Sequence, residues 1–548
     1  MAALPRRPHM VTKRIVSKKS VNPQSARRVL SLLEHELGAA AFAGSAPEER
    51  QAIGVWIGEQ LKSFEPEKEP LVAFRCQVSE RFAHLLVALP DQPFLTDTVR
   101  MAIVRGGGNM VRMAHPVVQV QKDGDVLRLR TMEGAKRGAK TALIYVQLRK
   151  PDDEGAEIVR QVKTGLTASL QAVRDFPKMT HLLEEVMGEK ANLSGSKDRE
   201  NTAFLRWLLA GNFVFLGYRH YHYSGSGKET VVQATPRSGL GMFAGRVSKV
   251  KAATRVESLG DSLGEYLKEN SWLVISKTPE KSTVHRPAAL DYVAVLERDK
   301  KGNVTGEHRW AGLYTSQAMT AHVREIPLVR GKVSAALAAA PWSRHGHTYR
   351  ALVNVLETYA RDELLLTPAE QLLRFAGIMA QVQEDPHPRL LLRPSAREQT
   401  VSAFVLLPLS KNSTAVRAKV QKMLMDACHG YDCDFRADLN GDNELARLFF
   451  RIRTHHWPLS VSEKELEDQL IAMTTGWEEK LRTALEERFG LALGEDLWVR
   501  HKDMGDAAYR AHTTAQEAVE DIDRLATTMG GSRAFGVYGQ AQGSCLHL

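Results

Sequence analysis

Cysteine is scarce: four in 548 residues, Cys76, Cys428, Cys433 and Cys545. That excludes a disulfide-built extracellular scaffold and suits a reducing compartment, read here as the cytoplasm. Long apolar runs are missing too. No stretch approaches the roughly 18 uninterrupted apolar residues of a membrane-spanning helix, so no membrane partner is expected. No apolar segment of the secretory type follows the positive charges near the amino terminus. Acid is absent before Glu34, while Arg6, Arg7, Lys13, Arg14, Lys18, Lys19, Arg27 and Arg28 stand unopposed. Without those eight, the formal charge of +10 falls to a near balance of 66 basic and 64 acidic residues. A nucleic-acid function would rest on this tail alone, and the tail reads as a solvated, disordered segment with no nucleic-acid partner. It is Arg-rich like an organelle transit peptide but lacks a clear amphipathic period.

Signatures of chemistry are equally thin. No phosphate-binding loop of the GxxxxGK[ST] type occurs. The nearest approach to a dinucleotide turn is Gly239-Leu240-Gly241-Met242-Phe243-Ala244-Gly245 with Asp261 downstream. Its spacing is off by one and its surroundings read as β-rich, so it is taken as a loop with unusual backbone angles. His220 and His222, two apart on an expected strand, share a face as a zinc site could use. A third ligand is not evident, and the pair is read as a wet strand end. Cys428-His429-Gly430-Tyr431-Asp432-Cys433 has four residues between its cysteines where a zinc knuckle has two, and is read as a helix-ending turn. Asp438, Asn440 and Asp442 imitate a calcium loop, yet Asn443 stands where glycine is required and Phe449 where glutamate is, which excludes an EF-hand. No catalytic, cofactor-binding or metal-binding residue is therefore assigned.

What is present is ample ordinary globular sequence, 43% hydrophobic and 25% charged, enough for about three or four domains of about 150 residues. The chain is organised around the stretch from Asn201 to about Leu364. Phe204, Trp207 and Leu208 form one helical face that stops at Gly211. A strand follows from Phe213. WLVISK (Trp272 to Lys277) is a second strand, leading into the polar loop TPEKSTVHRP. LDYVAVLERDKKGNVTGEHRWAGLYTS reads as a hairpin around Asp299-Lys300-Lys301-Gly302-Asn303. Upstream, Leu71 to Met187 runs strand, helix, strands, helix, the order of a ferredoxin-like unit. Downstream, Val401 to Ser410 reads as a strand and Lys411 to Gly430 as a helix. Another strand covers ELARLFFRIRTHH after a turn at Asn440-Gly441. Ser460 to about Leu525 is largely helical, with Ser462 three residues before Glu465 in a capping-box pattern.

The strings FLRWL, NFVFLGYR, SGLG, LVISK, STVHRPAALDYV, GEHR, GLYTS and NVLETYARDEL, in this order, resemble the amino-terminal region of the large NAD-dependent glutamate dehydrogenases of bacteria. So does LVALPDQPFLTDTVRMAIVRGG followed by HPVVQVQKDGD, which is similar to the first ACT-like domain of that family. The resemblance implies an α+β, multidomain fold, with two ferredoxin-like (ACT-like) units flanking a central antiparallel β (PAS-like) domain and helical connecting segments. The expected divisions are a basic tail (1–29), a helical lead-in (30–66), a first ACT-like domain (67–190), a linker (191–200) and the PAS-like domain (201–330). A helical segment (331–395), a second ACT-like domain (396–456), a helical segment (457–527) and an irregular, glycine-rich tail (528–548), read as a truncation, complete the chain. Ala396-Arg397-Glu398-Gln399-Thr400 departs from the basic and aromatic lead usual before the second ACT strand.

The family deaminates glutamate oxidatively to 2-oxoglutarate and ammonia with NAD. The resemblance places this chain in the regulatory region, predicts that it is inactive alone, and assigns NAD to the full-length enzyme rather than to these residues. Expected partners are the catalytic portion of the dehydrogenase or further copies in a homo-oligomer, and a small amino-acid effector. The alternative is a stand-alone amino-acid-sensing or subunit-docking module. An effector is expected at the turn between first strand and first helix, which carries Asp91, Pro93, Phe94 and Asp97 and where free amide N–H groups suit a carboxylate. The competing reading is that Thr96 or Asp97 merely caps the helix. His285, Arg286 and Asp291 form the second candidate group, a domain contact or anion site in which Arg286 pairs with Asp291 or holds the anion.

Overall fold

The computed structural model describes residues 23–37, 46–76, 81–123, 126–131, 140–152, 154–190, 192–193, 195–225, 231–245, 254–255, 271–439, 444–528, 538–539 and 546–547. The chain divides into two units, one ending at Arg330 but including Ala360–Leu366, the other holding Gly331–Tyr359 and everything from Thr367 onward. Helices and antiparallel sheets are segregated along it, so the class is α+β.

In the first unit, α1 (Pro23–Leu37) and α2 (Pro47–Ser63) precede β1 (Leu71–Arg75) and β2 (Phe82–Pro90). The expected tail to residue 29 thus gives way to helix at Pro23, because α1 buries Ala26 and Val29. Then come α3 (Leu95–Arg105), β3 (Met110–Ala114), β4 (Val117–Asp123), β5 (Val126–Thr131), β6 (Thr141–Arg149) and α4 (Ala156–Glu189). The sheet order is β1-β2-β6-β4-β5, with β3 also on β6. Both of its faces are covered. Leu85, Val87 and Leu89 of β2 and Ile144 and Val146 of β6 pack under α3 and α4 through Val99, Ile103 and Leu166. Their neighbours Leu86, Ala88, Leu143 and Tyr145 pack under α1 and α2 through Leu33, Trp56 and Ile57. Burial on both sides is why β2 and β6 read as unbroken apolar runs rather than alternating ones. In a ferredoxin-like sheet the edge beside the first strand is filled by the last strand; here β1, which precedes it in sequence, takes that place.

The central domain opens with α5 (Ser196–Trp207), so helix claims half of the expected linker. The helix then kinks through Leu208–Asn212, where Ala210 leaves helical angles and Gly211 stands at φ +88°. Then come β7 (Phe213–Ser224), β8 (Val231–Ala234), β9 (Leu240–Gly241), β10 (Thr254–Arg255), β11 (Leu273–Lys281), β12 (Ala289–Arg298) and β13 (Val304–Tyr314). They order as β10-β8-β7-β13-β12-β11, with β9 also on β7. The expected hairpin is β12–β13, its turn closed by Asp299 Oδ1, which accepts from the Lys301 and Asn303 amides at 2.8 and 2.9 Å. β11 runs on to Lys281 through residues expected as loop. It is the outer strand of the sheet, where polar side chains find water. Beyond β13 comes α6 (Ser316–Thr320).

The second unit contains most of α7 (Val329–Ala339) and all of α8 (His347–Thr358), whereas the short α9 (Arg361–Leu366) belongs to the first unit. After α10 (Ala369–Val382) come β14 (Arg389–Ser395), β15 (Thr400–Pro408), α11 (Thr414–Ala427), β16 (Gly430–Asp438), β17 (Leu445–Thr454) and α12 (Glu463–Thr474). The order β14-β15-β17-β16 repeats that of the first sheet, again with an edge strand supplied from the amino side. One face packs on α11 and α12 through Val405, Leu407, Val420, Leu424 and Leu470. On the other, Phe404 meets Tyr359, Phe375 and Phe449 at ring separations of 5.2, 5.8 and 5.0 Å.

In this unit β14 lies ahead of the expected domain start at 396. The expected helix-ending turn stands at Cys428-His429, directly after α11 ends at Ala427, whereas Gly430 to Cys433 of the same segment open β16. Both β14 and β16 are edge strands: Pro394 is tolerated in β14 because its missing N–H costs no ladder bond there, and β16 is too exposed to show an apolar pattern. Helices α13 (Trp477–Phe489), α14 (Leu491–His501), α15 (Ala507–His512) and α16 (Ala515–Thr528) share a core of Leu481, Leu485, Leu497, Ala518 and Ile522. The expected turn at Asn440-Gly441 and most of the glycine-rich tail lie outside the described residues.

Candidate functional site

The turn carrying Asp91, Pro93, Phe94 and Asp97 joins β2 to α3. Asp91 leaves the strand with its amide donating to the Lys140 carbonyl at 2.9 Å. Asp91, Pro93 and Asp97 are exposed. Phe94 takes the N-cap position in the left-handed region, φ +73°, and no side chain caps the helix. Thr96 and Asp97 therefore do not cap it. The Thr96 hydroxyl lies 3.1 Å from His115 Nδ1, and Asp97 Oδ2 lies 3.7 Å from His285 Nδ1. With the Thr98 amide as the first donor inside the helix, the preceding amides point out of its end uncapped.

The structure brings the two sequence-derived groups together at one residue. His285 is itself left-handed, at φ +70°. Its ring lies 5.0 Å from that of Phe94, and its amide donates to Thr98 Oγ1 at 3.4 Å. Two non-glycine residues in this sparsely populated region thus face each other, and each such conformation costs on the order of 1–3 kcal/mol unless its surroundings fix it. The surroundings do fix these. Phe94 packs on a small core of Ala172, Leu216, Val284, Leu290 and Leu313. The His285 loop is tied down by Arg105 Nη2, donating to the Ser282 carbonyl at 2.7 Å, and by Ser282 Oγ, donating to the Val284 carbonyl at 2.7 Å. Burial, together with the Arg286 guanidinium, lowers the His285 pKa.

Arg286 and Asp291 do not join that contact, nor does one pair with the other. Arg286 Nη2 donates to the Tyr314 carbonyl at 2.7 Å, while its buried Nε has no hydrogen-bond partner among the described residues. Asp291 is bonded instead to Lys277 Nζ, which also lies 3.3 Å from Asp362 Oδ2. This triad is buried, and beside it the Tyr314 phenol is raised well above its ordinary pKa by burial and then by the two carboxylates.

On the other side of the turn, Gln92 lines a cleft of about 960 Å³ with Lys68, Glu69, Lys163, Thr167 and Arg174. Sequence reasoning missed these residues of α4 and the approach to β1, because nothing local links residue 92 to residue 174. The remaining candidates fall elsewhere. In the glycine string, Leu240 and Gly241 pair with β7. A Cβ on Gly241, at φ +59°, would lie 2.3 Å from the Leu216 carbonyl oxygen. That glycine serves a close backbone approach, and Asp175 Oδ2 accepts its amide at 3.0 Å. Cys428 is buried in the core of the second sheet, which pushes its thiol up to about 11 and disqualifies it as a ready thiolate. His220 faces β13, and His222 is exposed.

Comparison with known families matches four separate segments. Residues 78–162 match the family model described as glutamate dehydrogenase, ACT1 domain, and residues 326–385 match helical motif 1. Residues 389–478 match the ACT2 domain and residues 484–527 helical motif 2. Three curated relatives carry the name NAD-specific glutamate dehydrogenase. The protein of Halomonas elongata is 27% identical over 86% of this chain, that of Pseudomonas aeruginosa 27% over 80%, and that of Mycobacterium tuberculosis 28% over 66%. The aligned parts make up 30%, 27% and 21% of those proteins, so this chain spans less than a third of the length of each. Two ACT domains and two helical motifs in fixed order, with relatives that agree along most of the chain, support placing it in the NAD-specific glutamate dehydrogenase family.

Proposed function

We propose that this chain is the regulatory portion of an NAD-dependent glutamate dehydrogenase, inactive by itself, and that a small amino acid binds at the turn before α3. The observation that carries the reading is the series ACT1, helical motif 1, ACT2, helical motif 2, of which no member is described as catalytic. A second observation agrees with it: every strand pair among the described residues is antiparallel, whereas a dinucleotide site of the doubly wound kind needs parallel strands feeding helices. The central sheet is read as PAS-like. NAD and hydride transfer from glutamate belong, on this reading, to a catalytic portion that the regulatory units contact, in a cytoplasmic homo-oligomer.

The turn suits a zwitterion. Uncapped amides at the start of α3 attract a carboxylate, and the exposed Asp91 and Asp97 attract an ammonium group within the same few residues. The well-fixed contact of Phe94 with His285 also favours the second reading, a sensing or docking module that works without catalytic residues of its own. Two measurements decide. Purified chain supplied with glutamate and NAD should form no NADH, and NADH formation by the chain would overturn the regulatory reading. Calorimetric titration with the common L-amino acids should give saturable binding for at least one, weakened about tenfold by Asp97→Ala; no binding by any of them removes the sensing role.

A further inference from the structure

His220 and His308 stand directly opposite each other on β7 and β13, and Glu297 of β12 reaches across to both. Glu297 Oε2 is 3.2 Å from His220 Nε2, and Glu297 Oε1 is 2.9 Å from His308 Nε2. The imidazole rings are 4.9 Å apart, and one ligand atom from each of the three groups lies within 4.8 Å of the others. From this geometry we propose a divalent metal site, with Zn²⁺ as the fitting ion, held by His220, Glu297 and His308.

Three features favour a metal. First, the donor set, two imidazoles and a carboxylate with a side open to solvent, matches three protein ligands plus one exchangeable position on zinc. The side chains are 21%, 38% and 17% exposed, buried enough to be held and open enough for a fourth ligand from water. Second, each imidazole is oriented through its other nitrogen. His220 Nδ1 lies 2.6 Å from Thr235 Oγ1 and His308 Nδ1 lies 2.8 Å from the Tyr218 hydroxyl, the outer-shell pattern that fixes a liganding histidine. With the metal on both Nε2 atoms, each Nδ1–H donates to its hydroxyl oxygen; the proton that Nε2 gives up reappears on Nδ1, so neutral imidazole is kept throughout. Third, space is made for the carboxylate. A Cβ on Gly306 would lie 2.3 Å from Glu297 Oε2, so only glycine there lets Glu297 lean toward His220.

The sequence paired His220 with His222, its neighbour on the same strand face. The structure instead supplies His308 from the facing strand and Glu297 from the next. A metal here would pin β7, β13 and β12 to one another.

The test is titration of the full chain with ZnCl₂, followed by calorimetry, and with CoCl₂, followed by the visible absorption of tetrahedral cobalt. One equivalent of each should bind. Glu297→Gln, which keeps shape and hydrogen-bonding capacity, and His308→Gln should each weaken zinc at least about 100-fold, since loss of an outer-shell partner alone costs about 10–100-fold. Thr235→Val should weaken it about tenfold and His222→Ala should change nothing. Circular dichroism confirms that each variant is folded. Absence of binding to the folded wild-type chain, undiminished binding in Glu297→Gln and His308→Gln, or loss of binding in His222→Ala would each overturn the site.

Discussion

Lys277 is bonded to Asp291 and lies 3.3 Å from Asp362, with all three side chains 8% exposed or less. Truncating one member of a buried ion pair is costly, so Lys277→Met should cost about 3–5 kcal/mol, measured by denaturant unfolding of the chain. His84 makes a different prediction. It is fully buried between β1 and β6, with Nδ1 2.8 Å from the Tyr145 hydroxyl, and burial together with Arg75 pushes its pKa down to about 4. An unfolded histidine titrates near 6.5, so protons bind the unfolded chain in preference. The fold keeps its full stability above about pH 6.5 and loses it as pH falls from there toward 4, by about 3 kcal/mol in all. His84→Gln should flatten that slope in unfolding curves taken across the window, whatever it costs at neutral pH. Neither residue announced itself: in sequence Lys277 ends an ordinary strand, and a histidine inside an apolar run carries no sign of its burial.

At the scale of elements, the edge of the second sheet is closed by a helix rather than left to solvent. The outward amides of β14 donate to α12: Leu390 to Glu467 Oε2 at 2.9 Å and Leu392 to Glu463 Oε2 at 2.7 Å. The two glutamates lie one helical turn apart, each also bridged to an arginine, Arg389 and Arg374. An open strand edge is a template for pairing with another chain. Glu463→Ala combined with Glu467→Ala should therefore cost about 2–6 kcal/mol, since each stranded amide costs about 1–3 kcal/mol, and should add concentration-dependent association visible by light scattering. What could be read of these elements in advance followed local chemistry. The turn Asp299–Asn303, the stop at Gly211 and the Ser462 cap, whose hydroxyl accepts the Glu465 amide at 3.2 Å, each write their signal within a few residues. β14 and β16 could not be read, since edge strands carry proline and polar residues that inner strands exclude. The candidate site was half legible for a similar reason. The turn after Pro90 and the histidine at 285 each stood out, but their meeting depends on the packing of α3 and α4 against the central sheet, and the facing of His220 by His308 depends on strand register.

At the scale of the molecule, the boundary between units is not a single cut. The chain leaves the first unit after Arg330, returns for Ala360–Leu366 and leaves again. That brief return carries α9, with Asp362 on Lys277 and Arg361 Nε donating to the Ala321 carbonyl at 2.9 Å. A fragment ending at 330 loses those contacts, while one ending at 366 keeps them. The longer fragment should resist protease longer and melt several degrees higher, as differential scanning calorimetry would show. The two ACT-like sheets share one further property, the edge strand placed ahead of its partner. Each first ladder, Leu71–Arg75 on Phe82–Pro90 and Arg389–Ser395 on Thr400–Pro408, closes across a short span of chain. Nearby pairing forms quickly, whereas an edge strand arriving last would have to wait for distant residues. A chain emerging from the ribosome can therefore zip each hairpin first, leaving β6 and β17 to dock on a platform already laid down.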